Sequence, residues 1–237
     1  RRRVGPFRIV QELGRGGMGV VYQGIDDQGR RAAVKVLRAA LASDEAVRRF
    51  AREATLRVEP PNIVKVLDAG ADAEGTPYIA FERLEGETLD ARLAVGRLSP
   101  RVAVDFALQT AAGLAAAHAE GIVHRDLKPA NLFLTRAGSE VGGAAGGVVK
   151  ILDFGIARVA GHDTRLTATG TVVGTPSYLS PEQAQGDPRV DARTDVWSLG
   201  VVLHEMLAGR APFDRDTALA TMLAVLMEQP PPLTMLV

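Results

Sequence analysis

The chain has 237 residues, 46% of them hydrophobic and 24% charged, enough for one or two domains with sizeable cores. Acidic and basic residues balance at 28 each, so no net field points to nucleic acid or an anionic membrane surface as the main partner. The absence of cysteine excludes disulfide staples, thiol catalysis and thiolate metal sites.

Arg1-Arg2-Arg3 reads as a solvated leader, because no apolar stretch follows it. No apolar run approaches the roughly 18 residues that a membrane span needs. Phe7 to Val10 reads as a strand entering Gly14-Arg15-Gly16-Gly17-Met18-Gly19, and Val20-Val21-Tyr22 leaves that turn as a second strand. The spacing G-x-G-x-x-G lets backbone N–H groups approach phosphate oxygens with no Cβ in the way. A strand rather than a helix after the third glycine favours a hairpin over a dinucleotide-binding turn. Asp26 to Gly29 is a turn, and Ala32 to Leu37 is a strand carrying Lys35. An ammonium buried there needs a partner. Phosphate and Glu53 are the favoured partners, against a plain edge lysine facing water. Glu53 lies on a helix expected from Ser43 to about Arg57, on the same face as Phe50, and Pro60-Pro61-Asn62 breaks that helix. Ile63 to Asp68 and Tyr78 to Glu82 read as strands around a turn from Gly70 to Pro77.

Beyond Glu82 the pattern turns helical. Ser99-Pro100 opens an alanine-rich helix that runs to about Glu120 and stops at Gly121. His124-Arg125-Asp126-Leu127-Lys128-Pro129-Ala130-Asn131 follows. The stretch from Gly138 to Gly147 reads as a flexible loop, Val148 to Leu152 as a strand, and Asp153-Phe154-Gly155 comes next. Asp195 to Ala208 and Asp216 to about Glu228 read as two further helices. Phosphoryl transfer needs a base for the incoming hydroxyl, a cation for the phosphate, and oxygen ligands for magnesium. Asp126, Lys128, Asn131 and Asp153 offer all of these. Any one of them alone would be a solvated polar residue; their joint order and spacing carry the reading. His124 reads as a structural histidine packing the loop.

These runs resemble the motifs of bacterial-type serine/threonine protein kinases, from Phe7 to about Phe213. The resemblance implies an α+β, bilobal protein kinase-like fold. It divides the chain into an N-lobe with an antiparallel sheet and one helix (1–82), a hinge (83–86) and a mainly helical C-lobe (87–237). It implies ATP and Mg2+ as cofactors, with Asp126, Lys128, Lys35 and Glu53 as catalytic residues and Asn131 and Asp153 as metal ligands. Leu13, Gly14, Gly16, Gly19, Val20, Ala33, Phe81, Glu82, Leu84 and Leu134 are implied to surround the nucleotide. Asp195 is implied to brace the catalytic loop, and Thr175 to lie in the segment that holds a substrate peptide. Thr167 and Thr169 are implied activation-loop phosphorylation sites, modified in trans through transient self-association. The implied partners are protein substrates, in the cytoplasm, with neither nucleic acid nor a membrane segment.

The family continues past the position of Pro232 with more helices and an arginine that pairs with the equivalent of Glu182, so the helical lobe is expected to be truncated. A truncated, inactive nucleotide-binding pseudokinase or scaffold is therefore the alternative, although Lys35, Asp126 and Asp153 are all present. A small-molecule kinase of the aminoglycoside or choline type is disfavoured by the segment from Gly174 to Glu182.

Overall fold

The computed structural model describes residues 2–16, 19–37, 61–136, 147–154 and 176–235. The expected Ser43–Arg57 helix with Glu53, the candidate threonines Thr167 and Thr169, and Thr175 lie outside the described residues. The described residues form two compact units, one of 2–16, 19–37 and 64–85, the other of 61–63, 86–136, 147–154 and 176–235.

The first unit is a six-stranded antiparallel sheet. Its strands are β1 (Arg3–Val4), β2 (Phe7–Arg15), β3 (Gly19–Ile25), β4 (Arg31–Leu37), β5 (Val66–Ala71) and β6 (Pro77–Glu82), in the spatial order β1-β2-β3-β4-β6-β5. Successive side chains of a strand alternate between faces. Ala32, Val34 and Val36 therefore share one face of β4 and pack with Val4, Phe7, Tyr78 and Ala80 into a core. Two aspartates shape the hairpin turns. Asp26 Oδ1 accepts from Gln28 N and Arg30 N, and Asp72 Oδ1 accepts from Glu74 N and Thr76 N. The expected solvated leader is corrected at its end: Arg3 and Val4 pair with β2, Val4 is fully buried, and Arg3 bonds Asp27 at 2.8 Å. The next correction concerns Ile63, expected to begin a strand. It bridges to Ile151 in the second unit, and β5 starts only at Val66.

The second unit holds a three-stranded antiparallel sheet, β7 (Gly86–Thr88), β8 (Leu132–Thr135) and β9 (Val149–Ile151), in that order. Its helices are α1 (Leu89–Val95), α2 (Pro100–Ala119), α3 (Pro181–Ala184), α4 (Arg193–Ala208) and α5 (Ala218–Met227). By length and composition α2 could span a bilayer, contrary to the expectation that no segment comes close. It instead buries Phe106, Gly113, Leu114 and Ala117 and packs against α4 and β9, as the central helix of the unit. Gly113 permits the close approach of Ile151 and Asn62. The Asn62 side-chain amide donates to Val149 O (3.1 Å) and the Asn62 backbone carbonyl accepts from Ile151 N (2.8 Å), which ties residues 61–63 to β9. Gly209, at φ 81°, ends α4 in the left-handed region that glycine adopts without cost. Trp197 on α4 stacks on Phe213, ring centroids 5.6 Å apart, over a core of Val201, Ala224 and Val225.

A Cβ on Gly24 would lie 2.8 Å from both Phe7 Cβ and Val34 Cγ2. Gly24→Ala is expected to lower stability by about 1–3 kcal/mol through overpacking, read as a lower urea midpoint with unchanged slope.

Candidate active site

Asp195, fully buried in the first turn of α4, receives three hydrogen bonds. His124 N and Arg125 N each donate at 2.8 Å, and His118 Nε2 lies 2.7 Å from its Oδ2. These contacts hold the loop between α2 and β8 at the two residues before Asp126. Arg125 sits at φ 67°, a left-handed conformation that costs a non-glycine residue about 1–2 kcal/mol. His118 went unremarked in the sequence; a histidine on an alanine-rich helix carries no local signal of a carboxylate 77 positions away.

His124 is fully buried, and its ring accepts at Nδ1 from Asp126 N (3.2 Å). Nε2 therefore carries the proton and donates to Leu152 O at 2.9 Å. The ring meets Phe154 edge-on at 4.9 Å. This histidine is a strut between the loop and the run that begins at Asp153.

Three polar groups meet beyond it. Lys128 Nζ lies 2.8 Å from Asp126 Oδ2, and Asn131 Nδ2 donates to Asp126 O (2.8 Å) and Oδ2 (3.2 Å). The Lys128 and Asp126 side chains are 26% and 38% exposed, so water weakens their attraction and leaves the ammonium free to swing to another anion. Leu152 N donates to Asn131 O at 2.8 Å, which places Asp153 beside Asn131. Asp153, like Arg125, sits at positive φ, at 56°. With Nδ2 turned to Asp126, the Asn131 carbonyl oxygen and the Asp153 carboxylate are the hard oxygen donors here. Magnesium is commonly held by one or two such groups together with substrate phosphates, so this donor set fits it. Among the described residues no cluster of three or more His, Asp or Glu could form an all-protein metal cage.

In the first unit, Lys35 lies on β4, largely buried, opposite Val21 on one side and Ile79 on the other. Ala33 is opposite Phe81 and shares the Lys35 face. Val20 is corrected. The β3–β4 register sets it against Val36, on the core face, and sets Val21 against Lys35. Directly opposed residues in a sheet share a face, so Val21, not Val20, lies with Ala33 and Lys35. Leu13 falls at a register shift of β2. Open space surrounds the Cβ positions of Gly14 and Gly16, whereas a Cβ on Gly19 would sit 2.2 Å from Val36 O. The third glycine of the motif is thus required by strand packing. Glu82 ends β6, where its carboxylate accepts from Lys65 N at 2.9 Å, and Leu84 O accepts from Arg83 Nη1. In the second unit Leu134 is buried on β8.

Residues 176–184 are anchored to the helices of the second unit. Ser177 Oγ donates to Asp214 (2.9 Å) and Tyr178 Oη to Glu205 (2.7 Å). Burial pushes the Tyr178 hydroxyl well above its ordinary range, and Glu205 adds to that shift. Burial also pushes the Glu205 carboxyl up, partly offset by the Tyr178 hydrogen bond. Glu182 lines a cavity of about 390 Å³ with Pro181, Arg189, Asp191, Arg193 and Trp197.

The protein kinase domain family matches residues 7–233. The serine/threonine-protein kinase PknA of Mycobacterium tuberculosis is 43% identical over 238 residues, covering 97% of this chain and 53% of the relative. Pkn1 of Myxococcus xanthus, a serine/threonine-protein kinase, is 44% identical over 234 residues, 97% of this chain and 33% of its own length. A probable serine/threonine-protein kinase, PknB of Bifidobacterium longum, is 43% identical over 231 residues, 91% and 32% respectively. The chain spans about a third to a half of the length of the curated relatives it matches.

Asp195→Ala would strand two backbone donors and is expected to cost about 2–4 kcal/mol of unfolding free energy, measured by urea denaturation. Glu205 binds its proton more tightly folded than unfolded, so it costs stability above its folded pKa, and the cost is relieved as pH falls from neutral toward the ordinary glutamate range. Glu205→Gln keeps an acceptor for Tyr178 and is expected to flatten that part of the dependence of melting temperature on pH.

Proposed function

Because the chain belongs to the protein kinase family, we propose that it transfers the γ-phosphoryl group of ATP to serine or threonine hydroxyls of proteins. One observation carries the reading: the ammonium of Lys128 and the carboxamide of Asn131 both bond the Asp126 carboxylate on one loop anchored by buried groups, with Asp153 adjacent. The names of the relatives support serine and threonine as acceptors.

In this mechanism Asp126 accepts a hydrogen bond from the incoming hydroxyl, orients its lone pair, and takes its proton as the new O–P bond forms and the bond to ADP breaks. Lys128 turns its ammonium from Asp126 to the transferring phosphoryl oxygens. Asn131 Oδ1 and the Asp153 carboxylate would hold magnesium. When bound, that ion supplies positive charge to the phosphate oxygens. Lys35, paired with Glu53, holds the remaining phosphates through its ammonium. The backbone of Gly14 and Gly16 approaches phosphate oxygens from positions where no side chain intrudes. In the first unit Leu13, Val21 and Ala33 supply apolar walls for adenine, with Phe81 behind it and the backbone of Glu82 and Leu84 bonding its edge. Thr175 belongs to the substrate segment. Thr167 and Thr169 are modified by a second copy of the protein during transient self-association. ATP supply places this chemistry in the cytoplasm.

Asp126→Asn keeps size and hydrogen bonding but removes the base. It is expected to reduce kcat roughly a hundred- to ten-thousandfold while Mg-ATP affinity stays within a few-fold. Radiolabel transfer to a basic protein and nucleotide titration measure the two. Transfer by the variant at the wild-type rate, or by the wild-type protein in excess EDTA, would overturn the reading.

A further inference from the structure

Gln183, on α3, makes two sets of contacts through the two ends of one carboxamide. Its Oε1 accepts from Ser180 N (3.1 Å), Ser180 Oγ (3.3 Å) and Thr194 Oγ1 (2.7 Å). Its Nε2 donates to Arg125 O at 2.8 Å, across 58 residues of sequence. The orientation of the amide is over-determined. Turned about, it would set Nε2 against the Ser180 N–H and Oε1 against the Arg125 carbonyl and lose both of those bonds, while the two hydroxyls could turn to accept.

The oxygen side is a local matter. Ser180 caps α3, Gln183 closes the capping box, and Thr194 on α4 fastens the pair, with Ser180 Oγ only 2.6 Å from Thr194 Oγ1. The nitrogen side reaches the peptide that precedes Asp126. That peptide is gripped at both ends, its carbonyl by Gln183 Nε2 and its N–H by His124 Nδ1. Asp195 holds the N–H of Arg125 itself. The left-handed backbone at Arg125 would relax to a commoner conformation if this plane could turn, and Asp126 would swing with it. Of the three holds, only Gln183 comes from the 176–184 segment.

We propose that Gln183 is a positioning residue for phosphoryl transfer: its carboxamide ties the segment that seats the substrate to the peptide plane that aims Asp126. The proposal rests on the kinase reading above. Gln183 touches no reacting atom; it acts through the Arg125 carbonyl.

Gln183→Glu separates the two roles. It is nearly isosteric and keeps an acceptor for Ser180 and Thr194, but it replaces the donor facing Arg125 O with a second acceptor. Gln183→Met removes both roles at similar length. Both variants are to be measured against the wild-type protein by thermal melting, by steady-state transfer with ATP varied, and by amide hydrogen exchange at residues 124–126. For Gln183→Glu the expected result is a cooperative melt, a KM for ATP within twofold of wild type, a kcat lower by roughly ten- to a hundredfold, and faster exchange at the Asp126 amide. If either variant melts cooperatively and turns over within twofold of wild type, the proposal is overturned. A fall in kcat with Asp126 exchange unchanged overturns it too. If the wild-type protein binds Mg-ATP but transfers nothing, the kinase reading fails, and exchange at Asp126 alone then decides whether Gln183 holds the loop.

Discussion

A single carboxylate organises the second unit. Asp195 is fully removed from water, yet each of its oxygens faces a donor: Arg125 N at Oδ1, and His124 N and His118 Nε2 at Oδ2. A buried carboxylate without such partners would be prohibitively costly. With them it becomes a rigid fixture that a loop can be hung from. The loop cannot satisfy its own amides in the conformation it adopts, because Arg125 is turned out of any helix or strand. The carboxylate and the strained backbone therefore depend on one another.

The same logic extends outward through polar side chains that each bridge two distant stretches. His124 spans from the Asp126 amide to the Leu152 carbonyl, Asn62 from residues 61–63 to β9, and Gln183 from α3 to Arg125. His124 and Gln183 are held at both ends of the ring or amide, so their orientation is determined rather than free. Polar networks of this kind stabilise little in net terms but strongly disfavour alternatives, since slipping one partner leaves another buried and unsatisfied. The outcome is a loop on which Lys128 and Asn131 both reach the Asp126 carboxylate from a backbone that has little room to move.

In the first unit the organising constraint is register. The β3–β4 ladder runs unbroken from Gly19 opposite Leu37 to Ile25 opposite Arg31. A displacement of one residue exchanges the core face for the other, which is why Val20 is set against the core residue Val36 while Val21 is set against Lys35. The glycine motif divides for a similar reason. Gly14 and Gly16 stand in open space, and Gly19 is demanded by the carbonyl of the neighbouring strand.

The chain order of residue types was sufficient for several features. Apolar runs bounded by turn residues mark β2, β3, β4 and β6; Pro100 and Gly121 bracket α2 and Gly209 ends α4; and the order of Asp126, Lys128, Asn131 and Asp153 names the chemistry together with the family. These are local or ordinal properties, carried by periodicity, turn chemistry and spacing. Short elements escaped. Arg3–Val4, Gly86–Thr88 and α1 are two to seven residues long, too brief for a period to register, and they exist because a neighbour supplies their hydrogen bonds or core. The His118 contact of Asp195 and the Arg125 contact of Gln183 escaped as well, since contacts across 58 to 77 residues leave no trace in spacing, and the bracing of the loop by Asp195 was implied by the family resemblance alone. Which valine faces Lys35 was decided only by pairing, because both valines are equally apolar and adjacent, and only the hydrogen-bond ladder tells one face of a strand from the other.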